Sequence, residues 1–156
     1  MHVNHHFFEN VNVWVQRHLH LCDTIASWSK DPSSQFGCFL TDELYRPIGH
    51  GFNGFARGFK DTPERWNDRE FKYRHVIHAE ENALLNASSR PENSVAFVNG
   101  CPCSSCMSKL AQARVKTVWC WEPTEDYLKR WSLDEPIQVA EECGVMVNFV
   151  QRPKQE

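Results

Sequence analysis

The chain has 156 residues, 41% hydrophobic and 24% charged, so we expect a single domain, residues 1–156, with its core at about 11–150. The net charge of −3 argues against a protein that wraps duplex nucleic acid. Neither an apolar run of transmembrane length nor a secretory signal is visible in the sequence, so we expect no membrane association and a cytoplasmic location.

Strand-like and helix-like segments alternate along the chain and predict an α/β fold with five strands. The predicted helices are 11–29, 78–88, 103–113 and 125–142, the last interrupted by Pro136. The predicted strands are 35–40, 47–53, 94–99, 117–121 and 145–150. Parallel strands need a crossover of a dozen residues or more, and the last connection is that long. Strands four and five are therefore predicted to be parallel, with a loose tail over 152–156.

The first predicted helix carries an apolar stripe. Residues at helical spacing predict its buried face: Trp14, His18, Leu21, Ile25 and Trp28. Four more residues widen the stripe: Val15, Leu19, Cys22 and Ala26.

The segment 57–74 is rich in charge, with six basic and four acidic residues. Two interpretations stay open for it, a solvated loop and a loop that supplies phosphate contacts.

The seven cysteines are an odd number in a chain that is not small and shows no secretory signal, which argues against a disulfide framework. Cys101, Cys103 and Cys106 crowd into six residues. The other four have apolar neighbours and are predicted to be small buried side chains: Cys22, Cys38, Cys120 and Cys143.

Two short motifs lie 21 residues apart, His78-Ala79-Glu80 and Pro102-Cys103-Ser-Ser-Cys106. Together they match the H-x-E…P-C-x-x-C signature of zinc deaminases. One imidazole and two thiolates suit tetrahedral Zn²⁺ and leave a fourth position for water. We therefore predict His78, Cys103 and Cys106 as zinc ligands. Zinc lowers the pKa of bound water to about 7. Glu80 is the predicted catalytic residue, which takes the proton and passes it to the ring nitrogen and the departing amine.

Two alternative metal sites follow from the same residue types. A structural zinc knuckle would use Cys101 together with Cys103 and Cys106, but it would not need Glu80. A second metal site at His2, His5 and His6 is the alternative to a loose N-terminus, which we favour.

Three further motifs narrow the match from zinc deaminases in general to one family. They are Ser-Lys-Asp-Pro-Ser-Ser-Gln at 29–35, Gly-Phe-Asn-Gly at 51–54, and Lys72-Tyr73 ahead of the His-Ala-Glu motif. With these, the sequence resembles the deoxycytidylate (dCMP) deaminase family of the cytidine deaminase superfamily over about residues 11–149. The resemblance implies a three-layer α/β/α cytidine deaminase-like fold with a five-stranded mixed sheet. It also implies zinc-dependent hydrolysis of dCMP to dUMP and ammonia, which supplies dUMP for thymidylate synthesis.

The resemblance also implies substrate contacts. Asn53 would contact the sugar or base, the Ala79 backbone N–H would hold the pyrimidine, and the Cys101 carbonyl would accept the amino group. Arg57 and Lys72 are the candidate phosphate or effector contacts.

Assembly and regulation follow from the resemblance as well. It implies a homo-oligomer, with a hexamer favoured, and dCTP and dTTP as effectors with Mg²⁺. The sequence departs from the family pattern at Trp28, Ala56 and Arg57 and over 59–74.

Three alternatives to a dCMP deaminase stay open. In the first, the enzyme acts on a 5-substituted dCMP or on dCTP. In the second, it acts on tRNA or single-stranded DNA. The second needs a positive groove with stacking aromatics, which the net charge of −3 disfavours. The third is a non-catalytic regulatory subunit that keeps zinc for stability, which would not need Glu80.

Overall fold

The computed structural model of the protein describes residues 5–155. Within that range the chain forms six strands and seven helices. The strands are β1 His5–Phe8, β2 Gly37–Thr41, β3 Pro47–Phe52, β4 Val95–Val98, β5 Thr117–Trp121 and β6 Met146–Val150. The helices are α1 Val13–Ala26, α2 Pro63–Asn67, α3 Arg69–His75, α4 Ala79–Leu85, α5 Ser104–Gln112, α6 Glu125–Arg130 and α7 Asp134–Cys143. None of these helices is both long and apolar enough to cross a membrane.

All six strands form one sheet in the order β1-β6-β5-β4-β2-β3. β2 pairs antiparallel with β3 and with β4. β4, β5 and β6 are parallel, which confirms the predicted parallel pair at 117–121 and 145–150. The mixed sheet is also confirmed, but the predicted number of five strands is wrong because β1 adds a sixth.

β1 was not predicted, since this part of the chain was expected to be loose. His5–Phe8 pairs in parallel with β6, in a register that places His5 opposite Val147. The Phe7 ring stacks on Phe149 with 4.9 Å between centroids. The loose-terminus prediction is therefore wrong for His5 and His6, while His2 lies outside the described residues.

Helices cover both faces of the sheet, which makes three layers. On one face the buried core residues are Val15, Leu19, Cys22, Phe97, Trp121 and Val150. On the other face a larger core includes residues of α4, α5 and α7, among them Ala79, Ala83, Met107, Leu110 and Ala140. Successive side chains point to opposite sides of a strand, so β4 contributes Phe97 to the α1 face and its neighbours Ala96 and Val98 to the other.

α1 buries part of the predicted stripe, and the prediction is wrong for three of its nine residues. Trp14, Leu21 and Trp28 are 50%, 37% and 51% exposed. The buried residues are Val15, His18, Leu19, Cys22, Ile25 and Ala26. A Cβ on Gly37 would lie 2.3 Å from the Cys22 carbonyl oxygen. The side of α1 that carries Cys22 therefore lies directly against β2.

The charged segment after β3 is folded rather than a solvated loop. It contains α2 and α3, which begin after Thr62 and Asp68, two residues whose side chains accept backbone N–H hydrogen bonds. Its apolar face is aromatic, and the Phe55 ring stacks on Trp66 with 4.1 Å between centroids. These two short helices form one wall of the cavity described below.

Two details near the C-terminus also differ from the prediction. The break between α6 and α7 falls at residues 131–133, and Pro136 lies inside the first turn of α7, where proline costs no helical hydrogen bond. The predicted loose tail is wrong at its first residue, because the Arg152 guanidinium donates to both carboxylate oxygens of Asp23 at 2.8 and 3.0 Å.

Candidate active site

The N-termini of two helices meet at the candidate site. α4 begins directly after His78 and α5 directly after Cys103. Both residues are extended, and neither side chain caps its own helix, so both are free to face one another. His78 Nδ1 lies 3.6 Å from Cys103 Sγ and 3.3 Å from Cys106 Sγ. The two elements thus bring the three predicted ligands together.

The geometry of these three side chains fits zinc. Their ligand atoms lie within 4.8 Å of one another. For usual Zn–N and Zn–S bond lengths and a tetrahedral angle, the N···S separation is about 3.6 Å. The observed 3.3 and 3.6 Å agree with that value. Two thiolates and one imidazole also form the donor set that zinc prefers in proteins.

The electrostatics of the cluster favour thiolate at Cys103. Hydrogen bonds from Cys106 and His78 lower the pKa of the Cys103 thiol to about 3. The hydrogen bond with Cys103, followed by burial, raises the pKa of Cys106. The hydrogen bond with Cys103 also raises the pKa of His78. Cys103 is therefore favoured as thiolate, the form in which cysteine binds metal.

Glu80 projects from the first turn of α4 beside this cluster. The residue is only 5% exposed, and it lines the same cavity as His78 and Cys103. Burial raises the pKa of the Glu80 carboxyl, which moves it toward the range in which a carboxyl both takes up and releases a proton.

Close packing fixes the position of α4 on the sheet. A Cβ on Gly51 of β3 would lie 2.5 Å from the Ala83 backbone nitrogen and 2.7 Å from the Ala79 carbonyl oxygen, so only glycine allows this approach. Glu81 of α4 forms a salt bridge of 3.3 Å with Lys109 of α5. The approach at Gly51 therefore fixes α4 on the sheet, whereas the salt bridge is exposed to solvent and contributes little.

The cluster opens into a cavity of about 880 Å³, a size typical of small-molecule sites. α3 supplies Arg69 and Lys72 to its walls, whereas α6 supplies Tyr127 and Arg130. His78 and Glu80 line it from α4 and the preceding residue. The cavity is therefore enclosed by elements far apart in sequence.

A buried polar network forms the wall next to β3. Lys72 Nζ lies 2.8 Å from Asp31 Oδ1, with the two side chains only 12% and 3% exposed. Asn53 donates to the Ser34 carbonyl oxygen at 2.9 Å and to Asp31 Oδ2 at 3.4 Å. Its Oδ1 accepts from the backbone N–H of Phe36 at 2.9 Å. Asn53 thus orders the loop that leads into β2.

The loop before α5 places the Cys101 carbonyl at the cavity. Cys101 lines the cavity, and its carbonyl oxygen accepts a hydrogen bond of 2.8 Å from the Tyr127 hydroxyl. Among the described residues, the Cys101 thiol is not part of the potential metal cluster of His78, Cys103 and Cys106. The knuckle interpretation is therefore wrong.

Comparison with known proteins agrees with this site. Residues 12–122 match the family model described as the cytidine and deoxycytidylate deaminase zinc-binding region. The match includes the helices that carry the three ligands and Glu80. The chain belongs to this family of zinc-binding deaminases. The predicted family and the predicted zinc-dependent deaminase class are confirmed.

Relatives of this deaminase extend the match. It is 39% identical over 144 residues to an uncharacterized deaminase from the luxG 3′ region of Aliivibrio fischeri, which covers 90% of this chain and 95% of that protein. It is 32% identical over 111 residues to deoxycytidylate deaminase of Homo sapiens, covering 67% of this chain and 62% of the human enzyme. The chain thus spans less than two thirds of that human relative.

A solved structure shares the deaminase fold. The dCMP deaminase of cyanophage S-TIM5 in complex with dCMP and dUMP superposes with a TM-score of 0.70 at 21% identity, over 90% of this chain and 100% of that one. The similarity confirms the cytidine deaminase-like fold class.

Two predicted contacts differ in their placement in the deaminase. Lys72 reaches the cavity, but already paired with Asp31. Arg57 lies in an exposed turn and is not among the described residues that line the cavity. Sequence analysis missed Tyr127 and Arg130, whose only signal is an aromatic and basic stretch in the final crossover.

Proposed function

We propose that this deaminase converts dCMP to dUMP and ammonia by hydrolysis, supplying dUMP for thymidylate synthesis. The observation that supports this most strongly is that Glu80 and the His78–Cys103–Cys106 cluster open onto one cavity. Members of the same family include named deoxycytidylate deaminases.

His78, Cys103 and Cys106 would hold zinc, which when bound supplies an activated water for attack on C4 of the pyrimidine. Glu80 takes one proton of that water and delivers it to ring N3, and it then carries the proton of the new C4 hydroxyl to the 4-amino nitrogen. A C4–O bond forms, the C4–N bond breaks, and ammonia leaves. General acid–base transfer of this kind contributes about 10²–10⁴-fold.

Backbone groups orient the base in this proposal. The Ala79 N–H, at the start of α4, has no partner within the helix and donates to the pyrimidine O2. The Cys101 carbonyl accepts from the 4-amino group. Together the two contacts place C4 in front of Glu80 and distinguish cytosine, which carries a donor at position 4, from uracil, which carries an acceptor there.

Asn53 has limited capacity for a ligand. Both of its amide N–H donors are engaged, with Ser34 and Asp31. Its Oδ1 accepts one bond from Phe36 N–H and retains a second lone pair. Asn53 therefore serves the substrate as an acceptor, which suits a hydroxyl of the sugar.

The substrate phosphate requires a cation that is not already paired. Arg130 and Arg69 line the cavity, and the described residues place no carboxylate in a salt bridge with either. The Arg130 guanidinium lies over the Trp131 ring at 4.5 Å and donates to Ser34 Oγ at 3.4 Å. Arg130 is therefore the phosphate contact in this proposal. The roles assigned to Lys72 and Arg57 stay predictions.

Arg130→Gln tests the phosphate contact. A charge-assisted hydrogen bond is worth about 1.5–3 kcal/mol, so KM for dCMP is expected to rise roughly tenfold or more. Deamination of deoxycytidine, which lacks the phosphate, should keep its kcat/KM. Arg114→Gln is the control, because Arg114 is exposed and pairs with Glu92 at 3.9 Å. An equal loss on both substrates would contradict the assignment.

The proposed function is tested by ammonia release from zinc-loaded protein. The substrates are cytidine, CMP, dCMP, 5-methyl-dCMP, dCTP and a single-stranded oligonucleotide, each with and without dCTP or dTTP and Mg²⁺. Turnover of dCMP above the others is expected. Activity on the oligonucleotide alone would replace the proposal with a nucleic-acid substrate. Effector regulation, hexamer assembly and the single-domain boundaries stay predictions.

A further inference from the structure

Tyr127 reaches the candidate site from a part of the chain that carries no deaminase motif. It lies in α6, after β5, and its hydroxyl donates to the Cys101 carbonyl oxygen at 2.8 Å. Its side chain is half-buried and lines the cavity. The contact joins residues 26 positions apart, across the zinc-ligand helix α5.

The Cys101 carbonyl belongs to a segment with few backbone anchors. The next residue, Pro102, has no N–H. Gly100 precedes Cys101, and a Cβ on Gly100 would lie 3.0 Å from the Phe36 ring and 3.6 Å from the Tyr127 ring. The glycine thus lets both rings close over the loop. The Tyr127 hydroxyl then supplies a directional hydrogen bond that sets the plane of this peptide.

α6 is itself held in place by side chains. The Tyr127 ring packs on Trp131 with 4.9 Å between centroids, and Trp131 meets the edge of Phe36 at 6.2 Å. These contacts connect α6 to the loop before β2. They fix the Tyr127 ring, so its hydroxyl has little freedom to leave the Cys101 oxygen.

We propose that Tyr127 is a positioning residue that aims the Cys101 carbonyl at the departing amino group. This inference rests on the proposed function. A carbonyl oxygen has two lone pairs, of which Tyr127 occupies one and the other remains for the substrate. As the 4-amino nitrogen gains a proton it becomes a stronger donor, so the contact strengthens in the transition state. The effect therefore belongs to kcat more than to KM.

Tyr127→Phe removes only the hydroxyl. The matched control is Tyr45→Phe, since the Tyr45 side chain is also half-buried and its hydroxyl accepts an exposed hydrogen bond of 3.1 Å from Asn12 Nδ2 outside the described cavity lining. Two substrates are compared, dCMP and its analogue with a 4-methoxy group in place of the amino group. Both give dUMP, but methoxy has no N–H for the Cys101 carbonyl.

In Tyr127→Phe, kcat for dCMP should fall about five- to tenfold, the equivalent of one hydrogen bond. The rate with the methoxy analogue should hold, so that the ratio of the two rates falls by the same factor. Tyr45→Phe should change neither. Binding of dUMP, measured by calorimetry, should stay at the wild-type level in both variants, because O4 of uracil donates no hydrogen bond.

Equal losses on both substrates would overturn the positioning role and leave the proposed function intact. An unchanged kcat for dCMP would overturn it as well. If the wild-type protein turned over neither compound, the proposed function and this inference would both fail. Zinc content and melting temperature equal to wild type show that the loss does not come from unfolding.

Discussion

Glu80 combines a cost to stability with a chemical role. Its carboxyl is buried, and burial raises its pKa, so a neutral amide of the same shape removes an unfavourable charge. We expect Glu80→Gln to keep zinc content and to melt no lower than wild type, while kcat falls about 10²–10⁴-fold. Ammonia release, metal analysis and thermal unfolding measure the three quantities.

Glu81→Gln is the matched control for Glu80→Gln. Glu81 is the adjacent carboxylate, but it faces Lys109 at 3.3 Å and is absent from the cavity lining among the described residues. The Glu81→Gln variant should therefore retain the wild-type kcat. A Glu80→Gln protein with wild-type turnover would remove Glu80 from the mechanism.

Lys72 and Asp31 form an ion pair that is almost fully buried. Removing one partner of such a pair leaves a buried charge uncompensated and costs about 3–5 kcal/mol. Lys72→Met should therefore lower the free energy of unfolding by roughly that amount, as measured by urea denaturation. The double variant with Asp31→Asn should recover part of the loss.

Lys30→Met controls for loss of a lysine as such. Lys30 Nζ lies 3.3 Å from Asp61 Oδ2, but its side chain is 70% exposed, and exposed pairs contribute about 0–1 kcal/mol. Equal destabilisation by Lys72→Met and Lys30→Met would show that burial of the Lys72–Asp31 pair does not affect the free energy of unfolding.

The chemical centre was predictable from sequence because its residues are local to two helix starts. His78 and Glu80 lie two positions apart, and Cys103 and Cys106 one helical turn apart. Tyr127 was not predictable in the same way. Its contact with Cys101 depends on where the chain turns within the long final crossover, and no short-range spacing encodes that turn.

At the scale of helices, zinc would hold α4 and α5 together at their N-termini. A ligand that binds only the folded state stabilises it by about 4 kcal/mol at a thousand times its dissociation constant. A chelator should therefore lower the melting temperature of the wild-type protein. Cys103→Ala should melt lower without chelator and respond to it far less.

Cys143→Ala is the control for the cysteine substitution, because Cys143 lies at the far end of α7 and is exposed, so the prediction of a buried side chain is wrong for this cysteine. It should bind zinc and respond to chelator as wild type does. Normal zinc content in Cys103→Ala would contradict the assignment of that thiol as a ligand.

Helix faces were predicted less well than helix positions. The periodicity of α1 located the helix and a stripe that contains every residue it buries, but the stripe was predicted too wide. Trp14, Leu21 and Trp28 are 50%, 37% and 51% exposed, because the helix meets β2 along the side that carries Cys22 and Ala26. Periodicity alone does not show how wide a face the sheet covers.

For the whole molecule, the largest departure from prediction is the sixth strand. His5–Phe8 is too short and too rich in histidine to predict a strand by alternation. It becomes a strand because β6 offers an unpaired parallel edge and because Phe7 meets Phe149 there. Tertiary pairing thus supplies what local propensity lacks.

Removal of residues 1–8 tests the contribution of β1. The truncation removes the Phe7–Phe149 stack and the Phe8–Trp119 contact at 5.4 Å, and it exposes the edge of β6. Phe7 is 58% exposed and Phe8 is half-buried, so together they are worth about 1–3 kcal/mol, and the melting temperature should fall. The bare apolar edge should also promote self-association, measured by light scattering against the full-length protein. His6→Ala, an exposed side chain of the same strand, should leave both quantities unchanged. A truncated protein with the melting temperature and size distribution of the full chain would show that β1 adds nothing to the fold.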